Sequence, residues 1–392
     1  MPEPPFTPLQ RPAPPSRLPA VGTTIFTVMS ALAQRCGAIN LGQGFPDFDP
    51  DPALLEAVTR AMRDGHNQYP PMAGVPALRE ALSDKIAALY GCRYDPGEEI
   101  TVTAGATQAL LTALLAVVRP GDEVIVLTPA YDAYAPAVAL AGGTLREVPL
   151  NAELGPDLDA IAEALGPRTR ALIVNTPHNP GGRIWRAAEM QRLAAMLEPT
   201  DVVLIADEVY EHMVYDGQHH CSAAAEPRLA SRSFVISSLG KTYHVTGWKV
   251  GSVAAPATLM REFRKVHQFN VFTVNTPMQY ALAAYLRAAP QAHHDLAAFY
   301  QARRDRFRAG LEGSRLRLLA CEGTYFQCVD YRDVRDLDET EFCEWLTREI
   351  GVAAIPLGAF ESRPDRSRRI ARLCFAKRES TLDEALRRLA TV

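Results

Sequence analysis

Short apolar runs alternate with helical patterns through the middle of the chain. The runs are rich in β-branched and aliphatic residues and occupy residues 100–102, 123–127, 170–174, 202–206 and 234–236. The stretches between them include residues 107–118, 158–165 and 187–197, where apolar residues recur with helical spacing. Such alternation predicts an α/β fold in which a mostly parallel sheet is sandwiched by helices.

The pattern changes beyond residue 258. Long helical patterns occupy residues 260–269, 277–288 and 296–311, and shorter ones occupy 339–350 and 382–389. Strand-like runs lie at 325–329 and 372–375. We therefore expect a smaller α+β domain at residues 290–392, after a large domain at 39–289. The segment 1–38 is interpreted as a proline-rich arm and a segment that joins the small domain.

Composition and charge narrow the class of protein. The 392 residues are 47% hydrophobic and 22% charged, which is typical of a globular chain. The net charge of −4 gives no basic excess for a nucleic-acid backbone, so we expect no nucleic-acid partner. The amino terminus is rich in proline and has no apolar core of a signal peptide.

The cysteines and the apolar runs indicate where in the cell the protein is expected. The seven cysteines are scattered and include no C-x-x-C pair, so neither a disulfide framework nor a zinc site is predicted. The longest mostly apolar run, 109–118, is too short to span a bilayer, and no membrane segment is expected. We interpret the chain as a cytoplasmic protein without a metal site.

Polar turns follow the predicted strands. The turn TAGATQ at 103–108 leads into a helix whose first amides could bind a phosphate, although a plain helix cap is the alternative. The segment NTPHNPGG at 175–182 reads as a tight loop. Asp207 ends the apolar run VVLIA and is either a solvated strand end or the counter-ion of a cation.

Two basic residues lie at positions that suit catalysis or ligand binding. Lys241 lies in SSLGKTYHVTGWKVG at 237–251, directly after a strand, where a partly apolar setting would let its amine lose a proton and act as a nucleophile. Arg372 leads the strand-like RLCFAK and suits bidentate capture of a carboxylate, with a surface ion pair as the alternative.

These features together call for a cofactor with a phosphate, a protonatable ring nitrogen and a carbonyl that condenses with lysine, and pyridoxal 5'-phosphate (PLP) meets all three. The runs INLGQGFPDF, NTPHNPGG, DEVYEH, SSLGKTYHVTGWKVG and RLCFAK resemble those of fold-type I, class I PLP-dependent aminotransferases, in the kynurenine/methionine branch. The resemblance extends from about residue 39 to the carboxyl terminus and implies that the large domain binds PLP.

The resemblance also implies roles in catalysis. Lys241 is similar to the lysine that joins covalently to the cofactor and then moves the α-proton of the substrate. Asp207 resembles the acid that pairs with the ring nitrogen. Tyr210 and Asn179 correspond to groups that hydrogen-bond the ring oxygen, and Tyr131 corresponds to the aromatic residue that stacks on the ring.

The phosphate site implied by the resemblance is made of Gly105, Ala106 and Thr107, with help from Ser238 and Lys249. Aspartate aminotransferases often have an arginine where Lys249 stands. A lysine keeps the positive charge but lacks the planar fork that binds an anion through two parallel hydrogen bonds.

Substrate and partner contacts follow from the same resemblance. Arg372 is similar to the arginine that binds the substrate α-carboxylate, with Asn179 and the backbone amide of Gly44 nearby. Tyr69 resembles a tyrosine that reaches the phosphate of the neighbouring subunit, which implies a homodimer with shared sites. The alternative for Tyr69 is a turn residue before Pro70.

The implied reaction is transamination between a neutral L-amino acid and a 2-oxo acid. Dicarboxylate-specific relatives use a second arginine from the region that corresponds to 269–278, and this segment has none. Methionine, glutamine, aromatic or kynurenine-like donors are therefore expected, unless an arginine elsewhere, such as one near Arg363, covers the site.

Two other functions stay open on the sequence. A PLP-dependent cysteine-conjugate β-lyase would use the same Lys241 and Asp207. A non-enzymatic, PLP-binding regulator would need a DNA-binding module, and the residues before Ile39 are too few and too rich in proline to form a helix-turn-helix.

Overall fold

The computed structural model describes residues 14–392. Its helices are α1 (Ile25–Cys36), α2 (Pro52–Arg63), α3 (Pro76–Tyr90), α4 (Gly105–Val117), α5 (Tyr134–Leu140), α6 (Leu158–Ala164), α7 (Ala187–Leu197), α8 (Pro227–Ala230), α9 (Leu239–Thr242), α10 (Ala257–Asn270), α11 (Thr276–Ala288), α12 (Gln291–His294), α13 (Leu296–Ala309), α14 (Glu339–Trp345) and α15 (Glu379–Leu389). Its strands are β1 (Ile39–Asn40), β2 (Ile100–Thr103), β3 (Glu123–Thr128), β4 (Thr144–Pro149), β5 (Thr169–Asn175), β6 (Val203–Asp207), β7 (Ser233–Ser238), β8 (Gly251–Ala254), β9 (Arg317–Leu318), β10 (Phe326–Asp330), β11 (Val352–Ala353), β12 (Ile355–Pro356) and β13 (Ile370–Cys374).

The large sheet has seven strands in the order β2-β8-β7-β6-β5-β3-β4. Strand β8 runs antiparallel to both of its neighbours, whereas the pairs β7–β6, β6–β5, β5–β3 and β3–β4 are parallel. The carboxyl ends of β2, β3, β5, β6 and β7 therefore meet at one edge. The predicted mostly parallel sheet between helices is confirmed.

Side chains of the central strands alternate between two hydrophobic cores. Ile125, Leu172 and Leu204 point into one core, and their neighbours Val124 and Ile173 point into the other. Successive residues of a strand face opposite sides of the sheet, so strands covered on both faces are apolar throughout. This is why the central strands read as continuous apolar runs.

A second sheet lies in the carboxyl-terminal part of the chain. It has four antiparallel strands in the order β12-β13-β10-β9. A separate short pair joins β1 to β11 in parallel, and Met29 and Leu32 of α1 belong to the core of this region. Helix α1 and strand β1 thus pack with the smaller α+β part, whereas α2 and α3 contribute Leu54 and Leu78 to a core of the large sheet. The proposed boundaries at 38/39 and 289/290 stay a prediction.

Several elements differ from the sequence prediction. Helices α2 and α3 and strands β4 and β8 were not expected. Strand β4 is an edge strand with alternating exposure and two charged residues, so it lacks the apolar run that marked the other strands. Arg372 was expected to lead its strand but lies in the middle of β13, because pairing begins at Ile370 opposite Asp330. Helix α14 ends at Trp345 and continues as a π-helical turn, Leu346–Ile350.

In the part of the chain that the structure describes, no helix combines the length and the apolar character needed to cross a membrane. The predicted arm at residues 1–13 lies outside the described residues.

Candidate active site

A cavity of about 310 Å³ opens where the carboxyl edge of the large sheet meets the smaller part of the molecule. Its lining includes twelve sequence-predicted residues: Gly44, Gly105, Ala106, Thr107, Tyr131, Asn179, Asp207, Tyr210, Ser238, Lys241, Lys249 and Arg372. Tyr69 does not line it and is 80% exposed. The volume is at the lower end of the range for small-molecule sites.

The turn between β2 and α4 forms a narrow cradle. Gly105 has a φ of 77°, and a Cβ there would lie 3.2 Å from Nζ of Lys249. A Cβ on Gly251 would lie 2.9 Å from the carbonyl oxygen of Ser237 and 3.1 Å from the amide of Ala106. Gln108 Oε1 accepts from the amide of Ala104 at 3.0 Å, and within residues 14–392 no side chain accepts from the amides of Gly105, Ala106 and Thr107. The turn thus combines free amides, a helix dipole and a lysine, which favours an anion.

Asp207 ends β6 and is only 3% exposed. The hydroxyl of Tyr134 donates a hydrogen bond to Oδ2 at 2.6 Å, and the amide of Val209 donates to Oδ1 at 3.3 Å. Burial raises the pKa of Asp207 to about 6, although both hydrogen bonds oppose the shift. The structure therefore excludes the alternative that Asp207 is a solvated residue at the end of a strand. The two hydrogen bonds hold its carboxylate in one orientation.

Lys241 lies in the short helix α9, where Ser238 Oγ caps the helix by accepting a hydrogen bond from the Lys241 amide at 3.2 Å. Its Nζ donates to the hydroxyl of Tyr325 at 2.7 Å and to the carbonyl oxygen of Gly44 at 3.0 Å. Desolvation lowers the pKa of Lys241 to about 8. A substantial fraction of the amine is therefore neutral near this pH, as a nucleophile or a base requires.

Arg372 is 1% exposed and reaches the cavity from β13. Its Nη1 donates to Asn179 Oδ1 at 2.7 Å and its Nη2 to the carbonyl oxygen of Gly42 at 2.9 Å. Within residues 14–392, its Nε is buried without a hydrogen-bond partner, and no carboxylate pairs with the guanidinium. The alternative of a surface ion pair is therefore wrong, and the group is suited to an anionic ligand.

Aromatic rings hold the guanidinium in place. The centre of the guanidinium lies 3.8 Å from the ring centroid of Phe326, 4.9 Å from that of Phe360 and 5.4 Å from that of Phe26. Burial among these rings lowers the pKa of Arg372, which nonetheless stays a cation.

Sequence reasoning missed several residues that line or support the cavity. Asp132 and Tyr134 lie in the same motif, TPAYDAY, as the predicted site residue Tyr131. Their closeness to Tyr131 in the sequence could have indicated that they belong to the site. Tyr325 and Phe326 come from the smaller part of the chain, outside the motifs that indicated the site. Their role depends on how the two sheets pack.

The chain belongs to the aminotransferase class I and II family, whose model matches residues 37–389. It is therefore a PLP-dependent aminotransferase, which confirms the enzyme and cofactor predicted from the sequence. The non-enzymatic interpretation is not supported.

Among curated relatives, the chain is 52% identical to the methionine aminotransferase of Escherichia coli K12, over 96% of this chain and 97% of that one. It is 42% identical to a probable N-succinyldiaminopimelate aminotransferase of Mycobacterium tuberculosis (96% and 98% covered). It is 34% identical to kynurenine–oxoglutarate transaminase 1 of Rattus norvegicus (95% and 97% covered). The predicted kynurenine/methionine branch is thus confirmed.

A crystal structure of an Escherichia coli protein with a methionine aminotransferase function superposes with a TM-score of 0.96 at 51% identity, covering 97% of this chain and 100% of that one. The predicted fold class agrees with that of this solved structure.

The residues of the cavity fit PLP. The β2–α4 cradle is suited to bind a phosphate, and the buried carboxylate of Asp207 is suited to pair with a protonated ring nitrogen. The amine of Lys241 is suited to condense with a carbonyl. Within residues 14–392 the Nε of Arg372 has no hydrogen-bond partner, so this donor suits an anionic ligand.

Proposed function

We propose that the chain transfers the amino group of a neutral L-amino acid, such as methionine, glutamine, an aromatic amino acid or kynurenine, to a 2-oxo acid. One observation carries the proposal: the basic residues that line the cavity, within residues 14–392, are Lys241, Lys249 and Arg372, and each has another task. A second, distal carboxylate would find no cation there, and its burial would be costly. The relatives named for methionine and kynurenine support this choice.

PLP, when bound, supplies an electron-withdrawing ring that takes up the charge left when the Cα–H bond of the amino acid breaks. We assign the movement of that proton to Nζ of Lys241, since burial keeps part of this amine neutral. Asp207, held by Tyr134, would place a negative charge beside the ring nitrogen of bound PLP, and a charge placed in advance is more effective than one that must reorganise.

Asn179 links substrate and cofactor contacts. Its Oδ1 accepts from Arg372, so its amide Nδ2 is left as a donor, and its backbone amide is fixed by Asn175 Oδ1 at 2.7 Å. We assign to Asn179 Nδ2 and the hydroxyl of Tyr210 the hydrogen bonds to the ring oxygen. Tyr131, half-buried at the cavity wall, is assigned to stack on the ring.

Replacing Arg372 by lysine is expected to raise KM for the amino donor and lower kcat/KM by about 10- to 100-fold, because the bidentate contact with the α-carboxylate is lost. Steady-state kinetics with methionine measures this. Arg192→Lys is a matched control, since Arg192 is exposed on α7 and does not line the cavity. Unchanged KM values in Arg372→Lys would contradict the assignment.

A donor comparison tests the proposed function. With one 2-oxo acid acceptor, we expect kcat/KM for methionine, phenylalanine or kynurenine to exceed that for aspartate by at least about tenfold, since one uncompensated buried charge costs more than 1.4 kcal/mol. Aspartate as the best donor would refute the neutral preference. Supplying a cysteine conjugate to the same holoenzyme, and measuring pyruvate, tests the β-lyase alternative.

We also propose that the chain forms a homodimer with shared sites. Phe269 is 91% exposed, and Tyr69 lies beside Phe272 with ring centroids 5.3 Å apart. Met62 and Leu55 are further exposed apolar side chains. Large exposed apolar side chains favour contact with a second copy, which would cover them. Tyr69 would then be available to a neighbouring phosphate site.

We propose a cytoplasmic location because the cysteines are free thiols. All seven are free thiols, and four of them are buried: Cys321, Cys328, Cys343 and Cys374. A reducing compartment keeps such thiols reduced.

A further inference from the structure

Asp132 lies where the active-site cavity meets the surface. It follows Tyr131 after β3, lines the cavity, and also lines an adjoining groove between residues 20–25 and 356–368. Its side chain is half-buried. A substrate that enters through this groove must pass it.

The carboxylate of Asp132 is not neutralised. Within residues 14–392 it takes part in no ion pair and in no hydrogen bond with another side chain. Burial raises the pKa of Asp132, and the positive charge of Arg372, which lines the same cavity, opposes that shift. Of the other two basic residues of the cavity, Lys241 donates to the carbonyl oxygen of Gly44, and Lys249 lies beside Gly105 in the β2–α4 cradle.

We propose that Asp132 is a specificity-determining residue that selects against amino acids and other acids with a second, distal carboxylate. The inference rests on the proposed function, because it places the α-carboxylate on Arg372. With that contact made, the positive charge of Arg372 is used, and a second carboxylate in the cavity meets the negative charge of Asp132. Two like charges in a partly desolvated site repel more strongly than in water.

Glutamine and glutamate test this directly, because they have nearly the same shape and differ in the distal charge. The ratio of kcat/KM for glutamine to that for glutamate is expected to fall by about tenfold or more in Asp132→Asn, which removes the charge at constant size. Asp132→Glu should keep a high ratio. Asp201→Asn is the matched control, since Asp201 is an exposed carboxylate at the opposite edge of the sheet.

A binding measurement separates this inference from the proposed function. Glutarate and its half-amide, glutaramate, cannot be transaminated, and their affinities for the PLP-loaded protein can be measured by calorimetry. We expect the half-amide to bind more tightly to the wild type, and Asp132→Asn to bring the two affinities together. If methionine is a poor donor but these affinities converge, the proposed function fails and the role of Asp132 stands.

Salt gives a test that needs no variant. Screening weakens repulsion between partly exposed charges, so the preference of the wild type for glutaramate should decrease as ionic strength rises. The inference is overturned if Asp132→Asn leaves the glutamine/glutamate ratio unchanged. It is also overturned if the variant raises both efficiencies equally, since Asp132 would then act at the α-carboxylate.

Discussion

Lys241→Ala is expected to lower the transamination rate by at least about 1,000-fold, because one amine serves both as the covalent attachment point and as the base that moves the α-proton. The cradle at Gly105 and the carboxylate of Asp207 remain in the variant, so PLP should still bind. Turnover with methionine, and the PLP content of the purified protein, measure the two effects.

Borohydride reduction followed by mass spectrometry distinguishes attachment from binding. In the wild type, reduction should leave the cofactor joined to the peptide that contains Lys241, and in the variant no such adduct should form. Lys265→Ala is the control, since Lys265 is exposed and pairs with Glu262 on the surface of α10. Near-wild-type turnover by Lys241→Ala would remove this residue from its assigned role.

Asp207→Asn is expected to lower kcat by about 100- to 1,000-fold, since a neutral amide does not hold a proton on the ring nitrogen as charge develops. The same substitution, although it lowers kcat, should stabilise the folded state of the PLP-free protein. Burial raises the pKa of Asp207 from 3.8 to about 6, so the charged carboxylate destabilises the folded state above pH 6, and this cost disappears below pH 3.8.

The PLP-free variant should therefore be at least as stable as the PLP-free wild type at pH 8, by up to about 3 kcal/mol, with a smaller difference at pH 5. Urea unfolding of both proteins at the two pH values measures this. A variant that is much less stable at pH 8 would show that the carboxylate supports the fold, and its kinetic effect could not then be assigned to the ring nitrogen.

Much of the site could be read from the sequence because its parts are local. Gly105, Asn179 and Lys241 follow strands that are buried on both faces, and Asp207 is the last residue of such a strand. Such strands appear as continuous apolar runs, and the geometry of a parallel sheet brings their carboxyl ends to one edge. Position along the chain was therefore enough to group these residues.

Contacts between distant parts of the chain could not be predicted from the sequence. Arg372 meets Asn179 across 193 residues, and the hydroxyl of Tyr325 meets Lys241 across 84. These pairs depend on how the β13 sheet packs against the large sheet, and no periodicity encodes that packing. The aromatic rings around Arg372 likewise became visible only in three dimensions, as did the carboxylate of Asp132, which has no ion-pair partner within residues 14–392. Burial and charge pairing depend on all neighbours of a side chain.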